Sequence, residues 1–116
     1  MPTVLVVEDE VLIREFIKEE LEVEGYTVVE AEHADAAIAV LEARADIQLV
    51  FTDIDMPGSM DGIKLAAFVR DRWPPVHIIV TTGKPRPLTI PGNALFIPKP
   101  YRSETVIAAI RTFEGF

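Results

Sequence analysis

Short apolar runs alternate with longer amphipathic stretches along almost the whole of this chain. The short runs are rich in Val, Ile and Leu and lack a clean polar alternation, which is typical of strands covered on both faces. The longer stretches carry apolar residues at helical spacing. The pattern predicts an open α/β fold with a parallel sheet, whose five strands lie at residues 3–7, 27–30, 49–52, 77–80 and 94–97.

The helices between these strands are predicted from periodicity and from their start and stop residues. The first has four apolar residues on one face, Ile13, Phe16, Ile17 and Leu21. Gly25 is expected to end it. Further helices are predicted at residues 34–43, from residue 62 to about residue 73, and from Ser103 onwards with that serine as N-cap. His33 is expected to be a helix cap rather than a metal ligand, because no second histidine stands at metal-ligand spacing.

One segment breaks the alternation. Between residues 82 and 94, where a crossover helix belongs, the chain carries two glycines and three prolines: Gly83, Gly92, Pro85, Pro87 and Pro91. Proline lacks the amide donor and clashes with the preceding turn, at about 3 kcal/mol for an interior helix position. An irregular loop or one short turn is therefore predicted in place of the fourth helix.

The size and charge of the chain exclude several classes of function. Its 116 residues suit one core, and no linker or repeat marks a second unit, so a single domain over residues 1–116 is expected. A net charge of −8 repels polyanions and disfavours direct nucleic-acid contact. The absence of cysteine excludes disulfides and thiolate chemistry. No apolar run is long enough for membrane insertion, so a cytoplasmic protein is expected.

Charged and hydroxyl side chains follow the predicted strands at their carboxyl ends. Glu8 and Asp9 follow the first strand, Asp53 the third, Thr81 the fourth and Lys99 the fifth. With strand order 2-1-3-4-5, the first and third strands are neighbours, so the three carboxylates converge where the strand order reverses. Each like-charged pair at about 5 Å costs on the order of 3 kcal/mol. A divalent cation relieves this repulsion, and clustered carboxylates predict Mg²⁺, which usually completes its coordination with phosphate oxygens.

The same residues predict phosphoryl transfer chemistry. Asp53 is the best nucleophile, because an acyl phosphate forms by in-line attack while cations neutralise the equatorial phosphoryl oxygens. Lys99 supplies the second cation, and Thr81 offers a hydroxyl donor to a phosphoryl oxygen. When Thr81 reaches that oxygen it pulls the loop after the fourth strand inward, which turns the chemistry into a change of shape.

Five sequence anchors resemble, in type and order, those of the receiver domain of two-component response regulators. They are Glu8-Asp9, Asp53 within Thr-Asp-Ile-Asp-Met-Pro, Asp61-Gly62, Thr81, and Lys99-Pro100-Tyr101. The resemblance covers essentially the whole chain. It implies a flavodoxin-like, doubly wound parallel sheet, in agreement with the strand order considered above.

The resemblance also implies a role for each site residue. Asp53 is the expected phosphorylated residue. The expected metal ligands, for Mg²⁺ or Mn²⁺, are the carboxylates of Glu8, Asp9 and Asp53 and the backbone carbonyl of Asp55. The expected phosphoryl contacts are Thr81 and Lys99. Phe96 stands where such domains often carry a switching aromatic, so Thr81 and Phe96 are the candidate switch residues.

Three features depart from the common pattern of this family. The loop at residues 56–62 is one residue longer, which alters the lid beside the site. Thr82 stands where a smaller residue is frequent, so its side chain is a candidate access gate that narrows the path to Asp53 and slows phosphoryl entry or hydrolysis. The proline-rich segment remodels a face that relatives commonly use for dimerisation or output. A weak homodimer is one of the partner hypotheses.

The leading interpretation is a stand-alone receiver rather than an enzyme, one that catalyses only its own phosphorylation and dephosphorylation. It accepts a phosphoryl group from a histidine kinase or histidine phosphotransferase and acts on a downstream protein target by conformational change. Two alternatives stay open, namely a small Mg²⁺-dependent phosphohydrolase that uses Asp53 and Asp55, and a pseudo-receiver that is never phosphorylated. A domain excised from a longer protein is a further alternative.

Overall fold

The computed structural model describes residues 2–92 and 94–113, which form a parallel sheet and four helices. The strands are β1 (Thr3–Val7), β2 (Thr27–Ala31), β3 (Ile47–Asp53), β4 (His77–Thr82) and β5 (Leu95–Pro98). The helices are α1 (Val11–Val23), α2 (Ala34–Ala43), α3 (Gly62–Arg72) and α4 (Ser103–Arg111). The strand order is β2-β1-β3-β4-β5, and every neighbouring pair is parallel. The predicted fold class and strand order are confirmed.

The sheet is covered on both faces by apolar layers. Alternate residues of its central strands point to opposite sides: Leu5, Val7 and Val50 to the layer of α2 and α3, and Val4, Val6 and Leu49 to that of α1 and α4. Full burial of a Val, Leu or Ile side chain contributes about 1.5–3 kcal/mol relative to exposure. Because neither face is wet, the strands are nearly continuous apolar runs, and the first of them is buried at every position.

Two of the predicted helix ends are found in the structure. Gly25 follows α1 with a φ of 97°, a left-handed conformation that glycine adopts at little cost, and its amide donates to the carbonyl of Glu22 at 3.0 Å. His33 caps α2, since its Nδ1 accepts from the amide of Ala36 at 3.1 Å. None of the helices in the described ranges combines the length and the apolarity needed to cross a membrane.

The prediction that Ser103 is an N-cap is wrong. Arg102 occupies the cap position without a side-chain hydrogen bond, and Ser103 is the first residue of α4. The serine hydroxyl donates instead to a carboxylate oxygen of Glu20 on α1, at 2.9 Å. A tertiary partner has therefore replaced the local capping bond that the sequence pattern favoured.

Phe16 shares the predicted apolar face of α1 but does not pack in the core. Ile17 and Leu21 fill the layer under α1, whereas Phe16 is 50% exposed. Phe16 lines an open cavity of about 510 Å³ together with Leu12 and Tyr101, beside the carboxyl ends of the strands. Val11, Leu12 and Phe16 near the start of α1 thus present apolar side chains to solvent.

The proline-rich segment forms neither helix nor strand at any described residue from 83 to 92. β4 ends at residue 82 and β5 begins at residue 95, so a loop replaces the crossover helix, as predicted. Leu88 in this loop is fully exposed. The guanidinium carbon of Arg86 lies 5.6 Å from the centre of the Phe96 ring, so the loop partly covers that side chain.

Candidate functional site

Three acidic side chains meet where β1 and β3 end side by side. Glu8 directly follows β1, and Asp53 is the last residue of β3. These strands are neighbours in the sheet, with Val7 opposite Thr52. Carboxylate oxygens of Glu8, Asp9 and Asp53 all lie within 4.8 Å of one another. The predicted convergence of the three acids is found in the structure.

Lys99 places its ammonium group in this cluster, although it follows the edge strand of the sheet. It follows β5, where its amide donates to the carbonyl of Thr82 at 2.9 Å. Its Nζ lies 3.0 Å from Glu8 Oε1 and 3.3 Å from Asp53 Oδ1. One cation from residue 99 therefore contacts two acids that are 46 and 91 positions away in sequence (99 minus 53 and 99 minus 8).

Burial and charge act against each other in this cluster. Burial raises the pKa of the Glu8 carboxyl and the Asp53 charge adds to this effect, although the Lys99 ammonium opposes it. Burial also raises the pKa of the Asp53 carboxyl, again against the influence of Lys99. For Lys99 burial acts to lower the pKa, but the Glu8 and Asp53 carboxylates outweigh it and the pKa is raised. Among the residues that the structure describes, only the Lys99 ammonium forms ion pairs with any of the three carboxylates, so the site favours a further cation.

Two buried polar atoms of the site have no hydrogen-bond partner among the residues that the structure describes. They are Asp53 Oδ1 and Thr81 Oγ1. The two residues are opposite each other in the register between β3 and β4. The ion pair of Asp53 with Lys99 lacks hydrogen-bond geometry. Because buried polar atoms are nearly always paired, these two are suited to a ligand, and the acidic donors around them fit Mg²⁺.

A second polar cluster, which we call the clasp, consists of Asp55, Thr82 and Lys84. Thr82 Oγ1 donates a short hydrogen bond to one carboxylate oxygen of Asp55 and accepts one from the amide of Lys84 at 3.1 Å. The Lys84 ammonium lies 3.4 Å from the other Asp55 oxygen. The clasp ties the loop after β3 to the end of β4. The sequence-based hypothesis treated Thr82 only as bulk, and this side-chain role of Asp55 was missed.

Gly62 allows α3 to begin directly against the backbone of Asp53. Its amide donates to the carbonyl of Ile54 at 2.9 Å. A Cβ atom at this position would lie 2.1 Å from the carbonyl oxygen of Asp53, far inside contact distance. Asp61 caps the same helix, with its Oδ1 accepting from the amide of Lys64 at 2.9 Å. The sequence pattern contained this Asp-Gly pair, but only the packing explains why a glycine is required.

Phe96 lies on β5 outside the acid cluster. It is opposite Val80 in the sheet, while the next residue, Ile97, is opposite Thr81. Phe96 is half-buried, and it packs against the apolar layer of α2 and α3. The aromatic ring is thus adjacent to the strand that carries Thr81 but has no place in metal or phosphoryl binding.

Comparison with known proteins identifies the family. The family model for the response regulator receiver domain matches residues 4–111. Chemotaxis protein CheY1 of Helicobacter pylori is 36% identical over 110 residues, which cover 88% of this chain and 88% of CheY1. Transcriptional regulatory protein ResD of Bacillus subtilis is 34% identical over 113 residues, which cover 93% of this chain and 46% of ResD.

A solved structure has the same architecture. Response regulator protein TrrA of Thermotoga maritima, in complex with Mg²⁺-BeF, superposes with a TM-score of 0.86 at 28% identity, covering 97% of this chain and 98% of TrrA. The chain spans only part of ResD and of four other curated relatives, from 16% to 46% of their lengths. The family match over most of this chain and the acid cluster where the strand order reverses lead to the same assignment. The chain belongs to the response regulator receiver domain family of two-component signalling.

Proposed function

We propose that residues 1–116 form one receiver domain in which Asp53 accepts a phosphoryl group from a phosphohistidine. A carboxylate oxygen of Asp53 attacks phosphorus in line, an O–P bond forms, the N–P bond of the donor breaks, and the imidazole leaves with the electron pair. The product is an acyl phosphate. The observation that supports this proposal most is the environment of Asp53 Oδ1. This buried oxygen has no hydrogen-bond partner in the described residues and lies among two further acids and Lys99.

The surrounding residues have distinct parts in this proposal. The Mg²⁺ (or Mn²⁺) ligands are the carboxylates of Glu8, Asp9 and Asp53 and the backbone carbonyl of Asp55. The ion supplies charge neutralisation for the transferring phosphoryl group. Lys99 neutralises a phosphoryl oxygen on the other side, and the Thr81 hydroxyl, which has no partner in the described part of the chain, donates to a phosphoryl oxygen. Movement of Thr81, followed by Phe96, then changes the shape of the surface that a target protein binds.

The phosphoryl donor in this proposal is a histidine kinase or a histidine phosphotransferase. An apolar surface next to the acid cluster supports its approach, because Leu12, Phe16 and Tyr101 line an open cavity that also reaches Lys99. Leu12 is 85% exposed, so this surface is available to a partner helix. A downstream protein target and the cytoplasmic location expected from the sequence belong to the same proposal.

Mass spectrometry after incubation with acetyl phosphate and Mg²⁺ tests the acceptor. The wild-type chain is expected to gain the mass of one phosphoryl group, and Asp53→Ala to gain none. Asp71→Asn is a matched control, because it removes an exposed acid of α3 that pairs only with Arg70 among the described residues. A gain that persists in Asp53→Ala contradicts the proposal, since it puts the acceptor elsewhere.

The phosphohydrolase alternative receives little support from the geometry. It requires Asp55 to act as an acid beside Asp53, but both Asp55 oxygens are engaged by Thr82 and Lys84 in the clasp. We expect at most slow hydrolysis of the chain's own acyl phosphate and no repeated turnover of small phosphate esters. Release of many phosphates per chain from such esters would favour the enzyme instead.

A further inference from the structure

Arg14 contacts the backbone that carries the two acids after β1. It lies in the first turn of α1, and its Nη1 donates to the backbone carbonyl of Glu8 at 2.7 Å. Its side chain is only 14% exposed. A partly buried guanidinium with a short hydrogen bond to a main-chain oxygen fixes that oxygen, because its planar group has few alternative positions.

The other side of the same guanidinium faces β2. Arg14 Nε lies 3.6 Å from Glu30 Oε1, and Lys18 Nζ lies 3.8 Å from the second oxygen of Glu30. Glu30, which Arg14 shares with Lys18, therefore offsets only part of the Arg14 charge, and Arg14 Nε and Glu30 Oε1 form no hydrogen bond within the described residues. This arrangement anchors α1, β2 and the loop after β1 to one another.

Glu8 is held at four points, of which Arg14 supplies one. Its amide donates to the carbonyl of Ala31 at 3.0 Å, Oε2 accepts from the amide of Glu10 at 3.1 Å, and Oε1 contacts Lys99. The carbonyl of Glu8 lies beyond the end of β1, where no strand pairing holds it. Arg14 supplies the missing restraint at the peptide that joins Glu8 to Asp9.

We infer that Arg14 is a positioning residue that sets the affinity for Mg²⁺ by holding the peptide between Glu8 and Asp9. The inference rests on the proposed function, in which these two acids bind the ion. Mg²⁺ demands near-ideal octahedral geometry with ligand distances of about 2.0–2.1 Å, so a small displacement of the acids weakens binding. Partners of metal ligands commonly alter affinity by about 10–100-fold when they are removed.

Isothermal titration with Mg²⁺ alone tests this inference on Arg14→Met, which keeps a long apolar stem and removes every donor. We expect the Kd to rise by about tenfold. At saturating Mg²⁺ the rate of phosphorylation by acetyl phosphate should stay at the wild-type value, because Asp53, Thr81 and Lys99 are unchanged. The Mg²⁺ concentration for half-maximal rate should rise with the Kd.

The direction of the change separates positioning from simple electrostatics. Removing a cation near three carboxylates should tighten Mg²⁺ binding if charge alone matters, whereas loss of the restraint weakens it. Lys18→Met is the matched control, since Lys18 shares Glu30 but does not contact Glu8, and its Kd should equal that of the wild type. If Arg14→Met does not fold, Arg14→Lys replaces it, with a smaller rise in Kd expected.

A Kd that is unchanged or lower in the folded Arg14 variant overturns the inference and leaves the proposed function intact. Conversely, a wild-type chain that binds Mg²⁺ but is never phosphorylated on Asp53 overturns the proposed function, while the effect of Arg14 on the Kd is still measurable. A lower saturating rate with an unchanged half-maximal Mg²⁺ concentration also contradicts the inference, because it assigns Arg14 to the chemistry.

Discussion

The carboxyl groups of Asp53 and Glu8 lie in a buried environment that disfavours their charged forms. Burial raises the pKa of both carboxyls, and Lys99 only partly opposes this. Ionised acids with raised pKa values destabilise the fold at neutral pH when no divalent ion is present, because the unfolded chain solvates them better. Asp53, the proposed acceptor, therefore lowers the stability of the fold, which is common for groups that serve function.

Asp53→Asn should accordingly stabilise the chain at neutral pH in the presence of a chelator. A group with a raised folded pKa is favourable to folding when protonated, and this contribution is lost as the pH rises through the folded pKa. The difference in free energy of unfolding between Asp53→Asn and the wild type should thus become smaller as the pH falls below the raised pKa of Asp53 towards its ordinary value of 3.8. Urea unfolding of both proteins across this pH range measures the difference in stability. A difference that is the same at every pH would contradict the argument.

The hydroxyl of Thr82 is the one group that links Asp55 to the amide of Lys84 in the clasp. In Thr82→Ala, Asp55 loses its bond to Thr82 and the amide of Lys84 loses its acceptor, so the two loops separate more easily. We expect phosphorylation by acetyl phosphate and hydrolysis of the acyl phosphate to become severalfold faster. Stopped-flow and mass measurements of the two rates provide the test.

Thr82→Ser distinguishes the clasp from simple bulk. Serine keeps the hydroxyl and can make the same hydrogen bonds, but it lacks the methyl group. If the clasp controls access, this variant should keep the wild-type rates. Equal acceleration in Thr82→Ser and Thr82→Ala would instead show that the methyl group narrows the path, as the sequence-based hypothesis of an access gate assumed.

Among the secondary-structure elements, α3 can begin where it does because Gly62 has no side chain. Gly62→Ala places a Cβ against the carbonyl of Asp53, a backbone atom that cannot turn away. Such overpacking costs about 1–3 kcal/mol, and the displaced β3 end should also weaken Mg²⁺ binding. Gly83→Ala is the control, because its Cβ would meet only the Cβ of Lys99 at 3.9 Å. Equal urea midpoints for the two variants would contradict the steric argument.

Most elements could be predicted from the sequence because burial on both faces leaves a strong apolar signal in the strands. The boundaries moved by a few residues, since β3 begins at residue 47 and β5 at residue 95. Two details could not be predicted, namely the exposure of Phe16 and the hydrogen bond of Ser103 to Glu20. A helix period identifies an apolar stripe, but not how far the sheet beneath it extends, and a cap preference does not foresee Glu20 as a competing partner.

In the molecule as a whole, the order of the strands in the sheet brings the acids of the site together. The acids at the ends of β1 and β3 meet because the sheet reverses its order between these strands, and this could be predicted from position alone. The supporting contacts could not, because they depend on where side chains end in space. Arg14 on the carbonyl of Glu8 and the hydroxyl of Thr81 without a partner in the described residues leave no pattern in the sequence.

If the acid cluster binds Mg²⁺ as proposed, the ion should stabilise the folded chain. Binding to the folded chain alone should raise the free energy of unfolding by about 2.7 kcal/mol at a concentration 100 times the Kd. Trp73, the sole tryptophan, is a suitable probe, because it packs with Phe68 and Arg72 at the end of α3 away from the acids and so reports global unfolding. Asp53→Asn should lose most of this gain, since one ligand carboxylate becomes a neutral amide. Asp71→Asn should retain it, and a wild-type urea midpoint that does not respond to Mg²⁺ would rule out the ion as a ligand of the folded state.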